Sequence, residues 1–239
     1  MPYHSAGIEI KKVWSGMNEV RIIEVKQSVL EDNDADAALL RKELKEKKVF
    51  LLNLMSSPGS GKTTTLLALA KKLKGKLNMG VMEADIDSDV DAKTLIEAGV
   101  PAIQIHTGGM CHLDADMTRQ GLRAFGRDDL DFIVLENVGN LVCPAEFDTG
   151  AIKNMTILSV PEGDDKPVKY PLMYEESDLL VINKIDVADY FDFDFDKAER
   201  VARERNRNIE VIRISAKKEE GIDRLAEWVI KQVKEWNEA

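Results

Sequence analysis

Ser56-Ser57-Pro58-Gly59-Ser60-Gly61-Lys62-Thr63 has the residue types and spacing of a phosphate-binding loop. Its glycines let successive backbone amides curl around phosphate oxygens, Lys62 has the reach for the β- and γ-phosphates, and the Thr63 hydroxyl, followed by Thr64, is suited to Mg²⁺. Ser56 stands where such loops usually carry their first glycine, but the core from Gly59 to Thr63 is intact. Farther on, Asn183-Lys184-Ile185-Asp186 has the chemistry to read a base. Guanine offers two adjacent donors, N1–H and the 2-amino group, to a single carboxylate, whereas adenine would turn an acceptor toward Asp186. A site built around such donors rejects a ligand lacking them by roughly 10⁴-fold or more. Lys184 would lay its stem along the base and Asn183 would brace the loop. Ser215-Ala216-Lys217 resembles the third guanine-contacting loop of such sites. Taken in order behind a phosphate loop, these segments predict GTP, with GDP as its product, in preference to ATP.

Between these anchors a hydrolysis switch is expected. Glu83-Ala84-Asp85-Ile86-Asp87-Ser88-Asp89-Val90-Asp91 is an acidic run. Some of its carboxylates are candidates for holding Mg²⁺ or orienting water, and the others fit helix capping or a solvated turn. Glu136-Asn137-Val138-Gly139 occupies the place of the usual Asp-x-x-Gly switch. Gly139 would offer its amide to a γ-phosphate, and Glu136 would hold Mg²⁺ through water.

A second chemistry lies at Cys111-His112 and Cys143, which include both cysteines of the chain. Thiolate and imidazole suit Zn²⁺ or Ni²⁺. The Cys-His pair precedes a predicted helix, whose N-terminus would favour thiolate at Cys111. One chain remains a ligand short of a closed tetrahedral site. Either water completes the shell, or the site lies on a two-fold axis between two copies. His4, His106 and the nine methionines are further donors without a spacing that recommends them.

These residues need elements to hold them. Apolar runs predict strands at 49–55, 80–84, 102–106, 131–136, 156–160, 179–183 and 210–214, and helical periodicity marks 28–48, 63–73, 91–98, 114–125, 197–206 and 222–236. Such alternation implies an α/β fold of P-loop type, with a mostly parallel central sheet and helices on both faces in three layers. Ligands of these sheets bind beyond the carboxyl ends of the strands, where the motifs fall. Residues 1–27 are expected to form an extended or partly helical arm and 28–239 a single P-loop GTPase domain.

The bulk composition narrows the partners. The chain has 239 residues, 44% hydrophobic and 32% charged, with a net charge of −10. Basic residues come only in short pairs such as Lys47-Lys48 and Lys71-Lys72, so neither nucleic acid nor an anionic membrane is an expected partner. No apolar stretch approaches the ~20 residues of a membrane span. The first residues lack the apolar core of a secretory signal, and two cysteines make no disulfide framework, so a reducing cytoplasm is the expected compartment.

The longer motifs carry a family resemblance. The loop Ser56–Thr63, Thr107-Gly-Gly-Met-Cys-His-Leu-Asp-Ala115, Glu136-Asn-Val-Gly-Asn-Leu-Val-Cys-Pro-Ala-Glu-Phe-Asp148, Val160-Pro-Glu-Gly-Asp-Asp-Lys-Pro167 and Asn183-Lys-Ile-Asp186 resemble the hydrogenase-maturation nickel-insertion GTPases, the HypB family of the SIMIBI class. The resemblance runs from about Leu30 to the C-terminus. It implies a metallochaperone GTPase that forms a homodimer on GTP binding and works with a small zinc-containing, nickel-binding partner. Through that partner it serves the large subunit of nickel–iron hydrogenase. It carries metal binding onto Cys111, His112 and Cys143, and nucleotide or Mg²⁺ contacts onto Lys62, Thr63, Asp85, Asp91, Glu136, Asn183 and Asp186. Within the acidic run it therefore selects Asp85 and Asp91, which join Lys62 and Gly139 as catalytic candidates, with Thr63, Asp85 and Glu136 for Mg²⁺. Some members carry an N-terminal Cys-x-x-Cys-Gly-Cys or a histidine-rich tract, whereas this N-terminus has no cysteine and only His4. The expected metal site is therefore the one linked to the switch. Related P-loop GTPases of urease or cobalamin-enzyme maturation, a metal-binding scaffold with a decayed GTPase, and a small-molecule P-loop kinase are the alternatives. An intact Lys62, Thr63 and Asn183–Asp186 segment argues against the scaffold.

Overall fold

The computed structural model describes residues 10–12, 21–24, 33–85 and 90–239. Its strands are β1 (Ile10–Lys12), β2 (Arg21–Glu24), β3 (Phe50–Ser56), β4 (Met79–Asp85), β5 (Ala102–His106), β6 (Phe132–Glu136), β7 (Lys153–Ser159), β8 (Leu179–Asn183) and β9 (Glu210–Arg213). Long helices α1 (Asn33–Lys47), α2 (Lys62–Leu73), α3 (Val90–Glu97) and α4 (Ala115–Phe125) fall in the first half. Short helices α5 (Cys143–Glu146), α6 (Lys166–Lys169) and α7 (Pro171–Glu175) follow, then α8 (Phe195–Arg205) and α9 (Ile222–Glu238).

The strands form one sheet in the order β1-β2-β5-β4-β6-β3-β7-β8-β9. Only β1 and β2 pair antiparallel; β2 lies parallel to β5, and the remaining ladders are parallel. Every residue of β3 is buried, as a central strand covered on both faces requires. The strand period then sorts its side chains between layers. Leu52 and Leu54 pack with Leu66 and Leu69 of α2 and Val229 of α9, while Leu51 packs on the opposite face with Leu40 and Leu44 of α1 and Met117 of α4. A third cluster, with Met55, Leu158, Tyr174, Ile182 and Ala202, seats α7 and α8 over β7 and β8. The result is the three-layer α/β/α P-loop fold that the pattern predicts. From β3 the chain skips one position to β4, moves outward to β5, returns to insert β6 between β4 and β3, and then builds β7, β8 and β9 on the other side of β3. The crevice at this reversal opens at the carboxyl end of β3.

Each predicted strand is present, and β7 differs most, starting at Lys153. Its first two residues are polar and do not read as a strand. Asn154 accepts a hydrogen bond from Asn53 of β3 (3.0 Å), and Lys153 pairs with Asp178 (2.6 Å). Helix α8 begins two residues before its predicted start, at Phe195, because Asp194 caps it by accepting from the Lys197 amide (2.9 Å). The short helices α5, α6 and α7 are too brief for periodicity to reveal, and each carries proline in its first turn. Of the predicted arm, the described parts are the strands β1 and β2, with β2 beside β5 and β1 at the sheet edge; its expected limit near Ser28 lies outside the described residues. Among the described residues, no helix is long and apolar enough to cross a membrane.

Candidate nucleotide and metal site

The phosphate loop runs from the end of β3 into α2. Ser56, in the place of the usual glycine, is buried; its hydroxyl accepts from Ser60 Oγ (2.8 Å) and donates to the Ser57 carbonyl (3.0 Å). The substitution thus ties the loop together instead of opening it. Gly61 caps α2 with φ +96°. A β-carbon there would stand 2.6 Å from Asn183 Nδ2, so both backbone conformation and space demand glycine. Ser57 Oγ also donates to Glu162, whose other carboxylate oxygen accepts from the Ser159 amide (2.7 Å) and hydroxyl (2.6 Å) at the end of β7. Glu162 lies in the Val160–Pro167 motif, and sequence reading gave it no role. Its carboxylate braces the phosphate loop from the neighbouring strand.

Asn183 braces the loop as expected. Its amide nitrogen donates to the Ser60 carbonyl (2.9 Å), and its oxygen accepts from the amides of Lys184 (2.7 Å) and Ala216 (3.1 Å). One side chain thereby joins three sequence-distant loops. Lys184, with φ +62°, turns back so that Nζ donates to the Gly59 carbonyl (2.7 Å). Asp186 accepts from Ser215 Oγ (2.6 Å); this bond chiefly, with Lys218 and Lys217 nearby, holds its carboxyl below the usual carboxylate range. A cavity of about 240 Å³ opens between Gly61, Thr64, Asn183, Lys184, Asp186, Ala216 and Lys217. Its ionised carboxylate suits a planar ring that presents adjacent donors.

Lys62 Nζ lies 3.7 Å from Glu136 Oε1, with 13% and 3% of their side chains exposed. Glu136 ends β6, in register with Leu54 of β3 and with Glu83 of β4, whose carboxylate is also buried. Thr63 starts α2 beside Lys62. Asp91 lies in the first turn of α3, where the helix N-terminus favours an acid, and is half-buried. Asp85 ends β4 opposite His106; the contacts expected of its side chain, like residues 86–89 of the acidic run, lie outside the described residues. Gly139 packs on the phosphate loop, where a β-carbon would meet Pro58 Cγ at 3.0 Å.

The metal candidates come together in part. Cys143 lies beside Cys111, whose thiol together with burial raises the Cys143 thiol above its ordinary pKa. His112 Nδ1 lies 3.8 Å from Cys111 Sγ, while its ring stacks on Phe147 (3.5 Å between centroids, 6° between planes). Burial lowers the His112 pKa against the opposing pull of Asp114 and Glu146, so the imidazole is neutral at pH 7 and has a lone pair to give. Among the described residues, no three His, Cys, Asp or Glu side chains gather into a group that could hold a metal. The two cysteines are neighbours, with the His112 ring beside Cys111. One expectation is corrected: Asp114, not Cys111, takes the N-terminus of α4, accepting from the Met117 amide (2.8 Å). It is Cys143 that begins a helix, the short α5. Phe147 and Asn140, which touch these ligands, carried no metal-binding signal of their own. The spacing of Gly139, Asn140 and Cys143 along one loop was the available clue.

A glycine-rich loop between a central parallel strand and a helix, facing a base-sized cavity, defines a P-loop nucleotide-binding protein. Residues 50–213 match the CobW/HypB/UreG nucleotide-binding domain. The chain belongs to the HypB family of hydrogenase maturation factors. It is 44% identical over 214 residues to the hydrogenase maturation factor HypB of Escherichia coli K12, spanning 90% of this chain and 74% of that protein. Two solved structures share its fold. HypB from Helicobacter pylori in complex with nickel is 35% identical, with a TM-score of 0.81 over 85% of this chain and 96% of that one. HypB from Archaeoglobus fulgidus is 32% identical, with a TM-score of 0.79 over 85% of this chain and 100% of that one.

Proposed function

We propose that this chain is a GTPase that couples GTP-dependent pairing of two copies to nickel delivery during maturation of nickel–iron hydrogenase. One observation carries the reading: a single loop leaves Glu136 beside Lys62, packs Gly139 on Pro58, and arrives at Cys143 beside Cys111. A change at the phosphates therefore has a short covalent path to the thiols. The nickel complex of the Helicobacter pylori relative supports nickel as cargo, and Zn²⁺ suits the same donors.

In this reading Lys62 offsets charge developing on the β- and γ-phosphate oxygens, the amides of Gly59–Thr63 cradle them, and Gly139 senses the γ-phosphate. Water adds to the γ-phosphorus as its bond to the bridging oxygen breaks, leaving GDP and phosphate. Thr63 and the buried carboxylate of Glu136, with Asp85, supply the hard oxygen donors that Mg²⁺ requires, and the ion would offset phosphate charge there. Asp91 is the candidate for orienting the water. Asp186, with Asn183, Lys184 and the Ser215–Lys217 loop, selects guanine. Since one chain gathers only part of a metal shell, a second copy supplies the remainder. A small zinc-containing partner loads or receives the nickel, which reaches the hydrogenase large subunit indirectly, in the cytoplasm.

Coupling of this kind requires that nickel affinity differ between nucleotide states. Nickel titration of wild type and Cys111→Ala with GDP and with a non-hydrolysable GTP analogue, while oligomeric state is followed, tests it. The expected result is tighter pairing with the analogue, a state-dependent affinity in wild type, and loss of that site in Cys111→Ala. Equal affinity in both states would end the proposal.

A further inference from the structure

We propose that Asn140 is the positioning residue that carries the state of the phosphate site to Cys143; this rests on the nucleotide-coupled site described above. Asn140 directly follows Gly139, the glycine packed on Pro58. Its side chain spans the gap to the thiol. Oδ1 accepts from the Val142 amide (2.8 Å), and Nδ2 donates to Cys143 Sγ (3.5 Å). The same amide thus fixes the turn that leads into α5 and the direction from which the sulfur is approached.

The start of the loop is anchored differently. Asn137 is fully buried; its amide N–H donates to the Leu54 carbonyl of β3 (2.9 Å) and its Nδ2 donates to Asn53 Oδ1 (3.1 Å). Asn53 Nδ2 in turn donates to Asn154 of β7 (3.0 Å), and Asn137 Oδ1 accepts from the Val138 amide (2.9 Å). This chain of amides crosses three adjacent strands, β6, β3 and β7, and pins residues 137 and 138 to the sheet. Buried networks with their groups satisfied are rigid. A shift of Gly139 toward a γ-phosphate cannot be absorbed behind the anchor and must pass forward. The next residue is Asn140, so the shift changes the hydrogen bond at Cys143. The sequence contributes an asparagine on each side of Val138-Gly139, and the structure assigns them opposite tasks, pivot and lever.

The test reads Cys143 without metal. In a Cys111→Ser background, alkylation of Cys143 by iodoacetamide is timed with GDP and with a non-hydrolysable GTP analogue. With Asn140 present, the two rates should differ by about fivefold or more, the scale expected when one hydrogen bond to sulfur is made in one state only. In Asn140→Ala the two rates should agree within about twofold while GDP affinity, measured alongside, stays at its Asn140 value. Asn140→Asp keeps the acceptor for the Val142 amide but has no donor for sulfur, and should behave like Asn140→Ala. A state difference undiminished in both variants overturns the role of Asn140 and leaves the coupled site standing. A state difference preserved in Asn140→Asp alone shows that the turn suffices, and also overturns it. Equal rates even with Asn140 present would overturn the nucleotide coupling itself.

Discussion

Gly61 and Asn183 fit together so closely that a β-carbon on the glycine would stand 2.6 Å from the asparagine amide nitrogen. That nitrogen is already committed to the Ser60 carbonyl (2.9 Å), and the asparagine oxygen to Ala216 N (3.1 Å). Neither residue can yield without moving the phosphate loop against the base loop. Gly61→Ala should therefore lower GDP affinity by at least about 100-fold, since displaced cradle and base contacts each cost on the order of 1 to 3 kcal/mol. Titration of a fluorescent GDP derivative checks it; affinity within about threefold of wild type would show that the contact is loose.

Asp186 sets the choice of base through charge. Its depressed pKa means that it stays ionised below the ordinary carboxylate value of 3.8. Guanine preference should be flat from neutral pH down to about that value. Ser215→Ala removes the largest cause of the depression, so loss of preference should then begin at higher pH. Asp186→Asn presents a donor to guanine's donors and should lose GTP affinity by roughly 10³-fold while gaining xanthine nucleotide, which has a carbonyl where guanine has an amine. Competition binding across pH reads all three outcomes.

The nucleotide site was largely legible because its motifs specify backbone geometry. Gly61 and Lys184 adopt positive φ, and Asn183 and Asp186 act through short, local reach. The strands β3 to β9 were legible from their apolar runs, since central strands covered on both faces, such as β3, β6 and β8, have no polar face. Glu162 and Asn53 were not. Each acts through a partner about 100 positions away, Ser57 and Asn154, and no local pattern marks such a pair. The metal site was legible in its ligand types but not in its geometry. Whether Cys111 meets Cys143 depends on how the loops after β5 and β6 approach each other, which spacing along the chain does not encode.

Lys62 and Glu136 are both largely shielded from water, at 3.7 Å. Replacing Lys62 with Met leaves a buried carboxylate without its cation, a change that costs on the order of 3 kcal/mol. Lys62→Met should therefore lower the denaturant midpoint of the nucleotide-free protein, and Lys62→Met/Glu136→Gln should recover about half of the loss or more. Each variant should also abolish hydrolysis. Additive destabilisation in the double variant would mean that the two charges do not support one another.

His112 gives the metal region its own pH signature. Burial lowers its pKa below the ordinary 6.5 even though Asp114 and Glu146 pull the other way. The folded protein therefore resists protonating the ring more than the unfolded chain does. By linkage, its contribution to stability is complete above pH 6.5 and is lost as pH falls through the depressed folded value. The metal-free melting temperature should drop on acidification through that window. His112→Phe retains a ring to stack on Phe147, whose centroid lies 3.5 Å from that of His112, and removes the titration. Its melting temperature should be flatter over the same range. Calorimetry of both proteins between pH 7.5 and pH 5 compares the slopes on the two sides of the ordinary value of 6.5. Parallel curves would show that His112 is not the group being titrated.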